Sequence, residues 1–310
     1  MRRFVPIVLL LALAAGCGSA SASGSGSGGT GGSTSANDGD RAALTAGLTA
    51  ARRLPTKVLV VIEENHSLRQ MRAQMPYLAG LSDRYSYATD WHALTHPSLP
   101  NYLAIAGGST FGVTNDADPS TNAAKLGRAA SVFSQARRAG RSAATYAESM
   151  PHHCNLTSAG HYAVRHNPWT YFSADRTACR AHDVGTANLA ANARANKLAN
   201  VTFLIPNLVH DAHDATLAQA DAWLKTHMAP VLASSDFTSG RLAVVVIADE
   251  DDRLSGNKVL TSVLSTRLDH KVVRTALNHY SLTRFIEQVL GVGPLRNART
   301  APDMATAFGF

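Results

Sequence analysis

The stretch of sequence that decides the fold is Val-Leu-Val-Val-Ile at residues 58–62, which runs directly into Glu63-Glu64-Asn65. A second apolar run, Val-Val-Val-Ile-Ala at residues 244–248, ends in the same way, in Asp249-Glu250-Asp251-Asp252. Short β-branched runs of this kind are typical of buried strands in a parallel sheet, whose ligands bind at the carboxyl ends of the strands. Because clustered carboxylates repel one another unless a cation or protons neutralise them, the two strand ends predict metal-assisted chemistry on an anionic substrate.

Strand-like and helix-like segments alternate along the rest of the chain. Further strands are predicted at 143–147, 201–205 and 242–248, and at Tyr87, Thr89 and Trp91. Helices are predicted at 76–85, 100–106, 130–139, 216–227 and 281–290, with Pro100 near the first position of its helix and Ser281 as an N-cap. This alternation predicts an α/β domain, a three-layer α/β/α sandwich with a mostly parallel central sheet. Residues 155–185 show little periodicity and are expected to form a long functional loop or a small insertion.

The first 50 residues have the composition of a targeting segment and a tether. Met1-Arg2-Arg3 precedes an apolar run at 5–15 that is too short to span a membrane and is typical of a signal peptide. The small residues before Cys17 resemble a bacterial lipoprotein signal, which implies that Cys17 is lipidated; the alternative is ordinary secretion with cleavage near Ala20-Ser21-Ala22. We predict a signal peptide at 1–17, a Gly/Ser-rich flexible tether at 18–50 and one domain at 51–310. The protein is then exported, either lipid-anchored in the cell envelope or secreted.

The number of cysteines and the net charge further limit the predicted structure and function. Cys154 and Cys179 form an even pair in an exported protein, which predicts one disulfide, the alternative being two free thiols. The net charge is +7, but the arginines are scattered, so nucleic-acid binding is not expected. A mild positive field would attract phosphorylated or anionic-lipid substrates, although a solvated basic surface without that role fits as well.

A candidate nucleophile lies in Thr95-His96-Pro97-Ser98-Leu99-Pro100-Asn101-Tyr102. The hydroxyl of Ser98 directly precedes a predicted helix, whose dipole and free N–H groups favour an alkoxide or a phosphate there. A serine needs such activation, or a metal, to act as a nucleophile. The alternative is that Ser98 only caps the helix.

The sequence resembles the bacterial phosphoesterase family, which includes phospholipase C-like enzymes and secreted acid phosphatases of the alkaline-phosphatase superfamily. Six segments in unbroken order between residues 57 and 293 carry the resemblance: Glu64-Asn65-His66-Ser67, the segment His96 to Tyr102, Tyr162 with Arg165-His166-Asn167-Pro168-Trp169, the segment Pro206 to Asp214, the segment Asp249 to Asp252, and His279-Tyr280-Ser281. The resemblance implies an alkaline-phosphatase-like fold.

The resemblance also implies roles for individual residues. A divalent metal ion of unknown identity would be held by five residues: Glu64, Asn65, Ser98, Asp249 and Glu250. Ser98 would attack phosphorus and form a phosphoserine that water then hydrolyses, while His213 and His279 would stabilise the transferring phosphoryl group or protonate the leaving alcohol. The predicted substrate-binding residues are His96, Arg165, His166 and Asp211.

For some residues near these motifs, the sequence leaves two interpretations open. His210 could add a metal ligand or be a surface histidine, and Asp251 and Asp252 could bind metal or continue a solvated loop. Glu63 is expected to point away from Glu64, because side chains alternate along a strand.

We expect from this resemblance an exported acid phosphatase that hydrolyses phosphate monoesters, phosphoinositides or other organic phosphates among them. Its partner would be a phosphorylated small molecule or a phospholipid headgroup, with membrane contact only through the N-terminal lipid anchor. Two alternatives stay open: a phosphodiesterase or phospholipase C with the same site, and a catalytically silent, tethered protein that binds phosphate or phospholipid.

Overall fold

The structure is a computed structural model, and it describes residues 54–310. The predicted signal peptide at 1–17, with Cys17, and the predicted tether at 18–50 lie outside the described residues, as do residues 51–53. Within the described part, no helix is both long enough and apolar enough to cross a membrane.

Eight strands form one sheet in the order β5-β4-β6-β1-β7-β8-β2-β9. Neighbouring strands are parallel except at β8, which runs antiparallel to both β7 and β2. A separate two-stranded parallel sheet pairs β3 with β10. The strands are β1 (Lys57–Glu63), β2 (Ser86–Ala88), β3 (Trp91–His92), β4 (Ala143–Ala147), β5 (Asp183–Val184), β6 (Val201–Ile205), β7 (Leu242–Ala248), β8 (Thr261–Leu264), β9 (Lys271–Val273) and β10 (Leu277–Asn278).

Helices pack against this sheet. They are α1 (Leu68–Gln74), α2 (Pro76–Arg84), α3 (Ser98–Gly107), α4 (Pro119–Leu126), α5 (Val132–Arg138), α6 (Arg176–His182), α7 (Leu189–Arg194), α8 (Leu217–Leu232), α9 (Ser235–Thr238), α10 (His279–Leu290) and α11 (Met304–Phe308). The apolar side chains of β1, β6 and β7 are buried at both faces of the sheet, as expected of parallel strands covered by helices. The predicted α/β sandwich is confirmed.

The order of the strands explains where the site forms. β1 lies between β6 and β7, and its register pairs Glu63 with Ala248, so Glu64 and Asp249 leave the sheet side by side. Ligand sites of parallel sheets form at this carboxyl edge, because the connecting loops converge there.

Two helices begin earlier in the sequence than predicted, and each has a local reason. α3 begins at Ser98 with Pro97 as its N-cap, so Pro100 lies inside the first turn rather than at its start. α10 begins at His279, because the side chain of Asn278 accepts hydrogen bonds from the N–H groups of Tyr280 and Ser281 and takes the capping position.

The segment predicted as a loop at 155–185 is more ordered than its sequence suggests. It contains α6 and β5 as well as three short 3₁₀ turns. The predicted disulfide between Cys154 and Cys179 is present, with 5.4 Å between the Cα atoms, and ties the start of this segment to α6. Similarly, residues 87–91 split between β2 and β3 instead of forming one strand.

Candidate active site

The floor of the candidate site is the carboxylate of Glu64, at the end of β1. The hydroxyl of Ser98 donates a hydrogen bond of 3.0 Å to Glu64 Oε2, and the hydroxyl of Tyr102 donates one of 2.7 Å to Oε1. Ser98 and Tyr102 are four residues apart on α3, so both project from the same face of that helix. The start of α3 thus presents its first hydroxyl to the strand end.

A buried histidine bridges Glu64 to a second carboxylate. His166 Nε2 lies 3.0 Å from Glu64 Oε1, and its Nδ1 lies 3.1 Å from Asp211 Oδ2. Its ring stacks on that of Tyr102, with 5.1 Å between the centroids and 6° between the planes. His166 therefore lies beneath the site, held from three sides, with both nitrogens directed at carboxylates.

The pKa values of His166 and Glu64 depend on the contacts between these two residues and with Asp211. Burial alone would lower the pKa of His166, but the charge of Glu64, together with the hydrogen bonds that His166 donates to both carboxylates and the charge of Asp211, raises it to about 10. Burial likewise opposes ionisation of Glu64, yet the charge of His166 and the hydrogen bonds from His166 and Tyr102 bring the pKa of Glu64 below its ordinary value. The group is accordingly an imidazolium next to an ionised glutamate.

Asp249, the residue after β7, has far fewer partners. Its Oδ1 accepts a 3.2 Å hydrogen bond from the backbone N–H of Asn65, and its Oδ2 is buried with no partner in the described structure. Burial, and then repulsion by Glu64 and Glu250, raises the pKa of Asp249 well above its ordinary value. Asn65 itself adopts a left-handed backbone with φ of 55°, which turns the chain back over Asp249.

His96 contacts two carboxylates of the loop that follows β7, those of Glu250 and Asp251. His96 Nδ1 lies 2.9 Å from Glu250 Oε1, and Nε2 lies 3.2 Å from Asp251 Oδ1. Because both ring nitrogens are paired with carboxylates, His96 orients Glu250 in this structure and does not offer a nitrogen to substrate. Burial raises the pKa of Glu250 to about 7, although the neighbouring His96 lowers it.

An open cleft of about 410 Å³ lies above these groups. Its lining contains a hydroxyl, an amide, an imidazole and several carboxylates, from the following residues: Asn65, Pro97, Ser98, Asp116, His213, Glu250, Asp251, Asp252 and Arg253. Ser98 is thus the candidate nucleophile, and its hydroxyl lies on the wall of this cleft.

Arg165 and His213 form the rim of the cleft. Arg165 Nη2 lies 3.1 Å from His213 Nε2, and the guanidinium donates because it carries no acceptor. His213 Nδ1 lies 2.6 Å from Asp214 Oδ1, so the imidazole proton sits on Nδ1 in this arrangement. Arg165 Nε also lies 3.9 Å from Asp116 Oδ2.

His279 lies elsewhere than its predicted role requires. Its side chain is fully buried, its Nε2 donates a 2.6 Å hydrogen bond to the backbone carbonyl of Asp249, and its Nδ1 accepts one of 3.2 Å from Trp91 Nε1. Burial lowers the pKa of His279 to about 4, which keeps the ring neutral. Direct contact with a phosphoryl group does not fit this placement, because both nitrogens are occupied; His279 instead holds the backbone at Asp249.

The predicted site residues therefore divide into two layers. Those on the cleft or its rim are Asn65, Ser98, Glu250, Arg165 and His213, and those beneath it are Glu64, Asp249, His166, Asp211 and His279. His96 is partly exposed and lies to one side, next to Asp251 and Arg253 of the cleft lining. Direct substrate contact by His166 or Asp211 does not fit the structure, because each is buried and bonded to the other.

Of the neighbouring residues, Asp251 departs from the solvated-loop reading, whereas His210 agrees with its reading as a residue that is not a metal ligand. Asp251 is buried rather than solvated, and its carboxylate accepts hydrogen bonds from the backbone of its own loop. His210 pairs with Glu148 at 2.9 Å and stays away from the cleft lining. Glu63 is fully buried, and burial raises its pKa well above the ordinary value.

Two residues of the site had no role assigned from the sequence. Tyr102 could have been found, because it follows Ser98 by one helical turn and so had to share its face. Asp116, which accepts a 2.9 Å hydrogen bond from the N–H of Leu99 at the start of α3, gave no local signal, since only the tertiary fold brings it there.

The residues around the cleft suit a hard divalent cation. The predicted ligands offer only oxygen atoms, from three carboxylates, an amide and a hydroxyl, which are the donors that Mg²⁺, Mn²⁺ and Ca²⁺ prefer. The unpartnered Oδ2 of Asp249 and the raised pKa of that carboxyl are what a missing positive neighbour would produce. Among the described residues, Glu64, His166 and Asp211 also lie within 4.8 Å of one another, but there the imidazolium already provides the positive charge.

The fold and the site together define an α/β enzyme that acts on phosphoric esters. A model of the Phosphoesterase family matches residues 65–293, and this chain belongs to that family. The predicted resemblance and the predicted enzyme class, a phosphoric ester hydrolase, are confirmed.

Individual relatives agree with this assignment. A phosphatidylinositol-3-phosphatase of Mycobacterium tuberculosis is 32% identical over 265 residues, covering 84% of this chain and 86% of that protein. A phosphate-repressible acid phosphatase of Penicillium chrysogenum is 26% identical over 219 residues, covering 67% of this chain and 52% of that protein, so the chain spans about half of its length. A solved protein of the alkaline phosphatase superfamily from Vibrio parahaemolyticus shares the fold, with a TM-score of 0.57 at 11% identity, covering 82% of this chain and 70% of that chain.

Proposed function

We propose that this protein is an exported acid phosphatase that hydrolyses phosphate monoesters through Ser98, with a divalent cation bound by Glu64, Asn65, Ser98, Asp249 and Glu250. One observation carries the proposal: the hydroxyl of Ser98, on the cleft wall at the start of α3, donates to a glutamate whose neighbour, Asp249, has an oxygen without a partner. The names of the two relatives, both phosphatases, support the reaction. The disulfide supports export, because such bonds persist in oxidising compartments.

The chain's own residues define the proposed steps. Glu64 accepts the hydrogen bond of Ser98 and so orients Oγ toward a phosphorus atom in the cleft. Ser98 Oγ forms a bond to phosphorus as the bond to the leaving alcohol oxygen breaks, which gives a phosphoserine. The Ser98 proton passes to Glu64 Oε2, which accepts its hydrogen bond, and the leaving oxygen takes up a proton from water. Water then breaks the phosphoserine bond, releasing inorganic phosphate and restoring the hydroxyl. A bound divalent cation would supply Lewis acidity, lowering the pKa of the Ser98 hydroxyl and neutralising phosphate oxygens.

Arg165 and His213 fit the other half of the reaction. The guanidinium can form two hydrogen bonds to phosphate oxygens, but in the present arrangement it donates to His213. We propose that an arriving phosphate draws Arg165 away from His213 Nε2. That nitrogen, which carries no proton in this arrangement, is then free to accept one from the water that attacks the phosphoserine. Asp214 holds the other nitrogen, and the released Ser98 oxygen takes its proton back from Glu64.

The test is phosphate release from p-nitrophenyl phosphate by the full chain and by Ser98→Ala, each before and after chelation and with divalent metals added back. Ser120→Ala is the matched control, because Ser120 is exposed on α4 and outside the cleft. We expect Ser98→Ala to lose the metal-dependent rate and Ser120→Ala to keep it. Equal rates in wild type and Ser98→Ala would remove Ser98 as the nucleophile.

Three further measurements address the finer parts of the proposal. A rate on bis(p-nitrophenyl) phosphate above that on the monoester would favour the phosphodiesterase alternative. A pH–rate maximum above about 8 would contradict the acidic optimum. Tight phosphate binding without turnover of either ester would favour the silent binding protein.

A further inference from the structure

Two large apolar side chains in the described part of the chain are conspicuously exposed. Leu254 is 85% exposed and Leu156 is 38% exposed, whereas the other large hydrophobic residues between 54 and 310 are buried or partly buried. Exposed leucines are common on protein surfaces, so exposure alone has no meaning. The position of Leu254 does, because its loop lies at the functional edge of the sheet.

Leu254 lies on the loop that leaves the carboxyl end of β7, beside the cleft. Its neighbour Arg253 lines the cleft, and Asp249 and Glu250 begin the same loop. Leu156 lies on the loop that leaves the carboxyl end of β4. That loop is joined to the one after β6 by a 3.0 Å hydrogen bond from the N–H of Leu208 to the carbonyl of His161. Of the two leucines, Leu254 thus lies at the edge at which the cleft opens.

The loop that carries Leu254 is held in shape by its own polar groups. The buried carboxylate of Asp251 accepts hydrogen bonds from the backbone N–H groups of Arg253, Ser255 and Asn257, at 2.8, 2.7 and 3.0 Å. The N–H of Leu254 donates to Asp252 at 3.2 Å. Because these contacts define the loop without any packing of the leucine, the side chain of Leu254 is presented outward on a fixed support.

We propose that this edge docks on a phospholipid bilayer, with Leu254 inserted among the acyl chains and Arg253 at the level of the headgroups. The substrates presented there would be phosphate monoesters of membrane lipids, which enter the cleft from the bilayer surface toward Ser98. This inference rests on the proposed function and names the physical state of its substrate.

The chemistry of the edge favours a bilayer over a protein partner. A stable protein interface buries about 800 Å² on each side around several apolar anchors, and a single protruding leucine is too small for that. A lone apolar tip beside a basic side chain matches the boundary of a membrane, where acyl chains meet anionic headgroups.

The first test compares one headgroup in two physical states. The full chain, Leu254→Asp and the control Ala191→Asp are assayed on a phosphatidylinositol monophosphate, as soluble dioctanoyl monomers and as the long-chain lipid in phosphatidylcholine vesicles. Ala191 is exposed on α7, the helix that precedes the amino end of β6, so its substitution adds the same charge away from the cleft. We expect Leu254→Asp to lose about tenfold or more of the vesicle rate, as for the loss of one buried leucine, and to keep the monomer rate.

The second test reports on position 254 independently of turnover. Leu254→Trp is mixed with vesicles that contain brominated acyl chains, with Ala191→Trp as the matched control. Quenching at position 254 alone is expected, because the native tryptophans are buried. Any contribution of residues 1–53 to binding is common to all variants. Absence of quenching at position 254, or equal loss of vesicle rate in both aspartate variants, would overturn the inference, including in favour of a protein partner. Absence of turnover on both lipid forms would instead contradict the proposed function.

Discussion

Glu64 and Asp249 occupy equivalent places in the molecule and have opposite surroundings. Each follows a central parallel strand, the two strands pair in register up to these residues, and both side chains are fully buried. Glu64 receives hydrogen bonds from two hydroxyls and faces an imidazolium, and its pKa lies below the ordinary value. Asp249 receives one backbone N–H, and burial and like charges raise its pKa well above the ordinary value.

This difference shows which of the two carboxylates is neutralised by the protein's own side chains. His166 neutralises Glu64 from below, so the glutamate is ready to orient Ser98 without further help. No described side chain does the same for Asp249, whose Oδ2 has no partner. We therefore place the demand for an external cation at Asp249 rather than at Glu64. The following predictions test this contrast, ordered by their expected effect on turnover.

Asp249→Asn is expected to have the largest effect. The amide oxygen can still accept the N–H of Asn65, but the negative charge that would attract a cation is lost. We expect monoester hydrolysis to fall on the order of 10³-fold, as for removal of a group that stabilises charge in the transition state. Initial rates over a range of divalent-metal concentrations measure it.

A thermal-shift titration supplies the control for this variant. A divalent cation that binds only the folded protein stabilises it by about 2.7 kcal/mol at a concentration of 100 Kd. The wild type and Glu63→Gln should both show this rise in Tm, because Glu63 is a buried carboxyl with a raised pKa that glutamine imitates. An equal rise in Asp249→Asn would contradict the assignment of the cation to Asp249.

His166→Gln tests the other half of the comparison. It removes the imidazolium and leaves Glu64 and Asp211 as unpaired buried carboxylates. Breaking a buried ion pair in this way costs about 3–5 kcal/mol of unfolding free energy, and turnover should fall because Glu64 loses its charge partner. Urea denaturation measures the stability.

His92→Gln is the matched substitution at the surface. The side chain of His92 is 44% exposed, and it contacts the partly exposed Asp90 and the carbonyl of Gly256, so this variant should lose about 0–1 kcal/mol. Similar losses of unfolding free energy in His166→Gln and His92→Gln would show that the contacts of His166 with Glu64 and Asp211 stabilise the fold no more than a surface pair does.

Tyr102→Phe removes one donor from Glu64 and keeps the ring that stacks on His166. A hydrogen bond to a charged group contributes about 1.5–3 kcal/mol, and its removal should raise the pKa of Glu64, because that bond lowers it. The acid limb of the pH–rate profile should therefore move to higher pH. Tyr171→Phe, whose hydroxyl bonds only the backbone carbonyl of Ala117, should leave the acid limb in place.

The sequence was sufficient for the parts of this site that depend on local pattern. The central strands are apolar runs of the right length, so β4, β6 and β7 match their predicted bounds at 143–147, 201–205 and 242–248. The meeting of Glu64, Asp249 and Ser98 follows from strand ends that share one edge and from a helix that starts beside them.

The direction in which each histidine faces could not be predicted in the same way. His166, His213 and His279 all lie in family-like segments, yet only His213 lines the cleft. His166 is turned inward by Tyr102 and Asp211, and His279 by Trp91 and the carbonyl of Asp249. These partners come from distant parts of the chain, and a motif records the residue but not the contact that orients it.

A third buried carboxyl, that of Asp183, extends the comparison to a place outside the cleft lining. It receives two hydrogen bonds from Asn167, an uncharged donor, and burial outweighs these to raise its pKa from 3.8 to about 8. The folded protein therefore holds a proton that the unfolded chain releases above pH 3.8, and the free energy of unfolding falls as the pH rises from there toward 8. An uncharged donor thus leaves a buried carboxyl protonated, where the imidazolium of His166 leaves Glu64 ionised.

Asp183→Asn should leave turnover unchanged, because Asp183 does not line the cleft, but it should remove this decline of stability with pH. The unfolding free energy of the variant relative to wild type should increase with pH by up to about 1.4 kcal/mol per unit between pH 4 and 8. Urea denaturation of both proteins across that range, with the disulfide intact, measures the difference. A constant difference across the range would show that Asp183 is ionised when folded, and that the hydrogen bonds of Asn167 with the charge of Arg176 can sustain a buried carboxylate here.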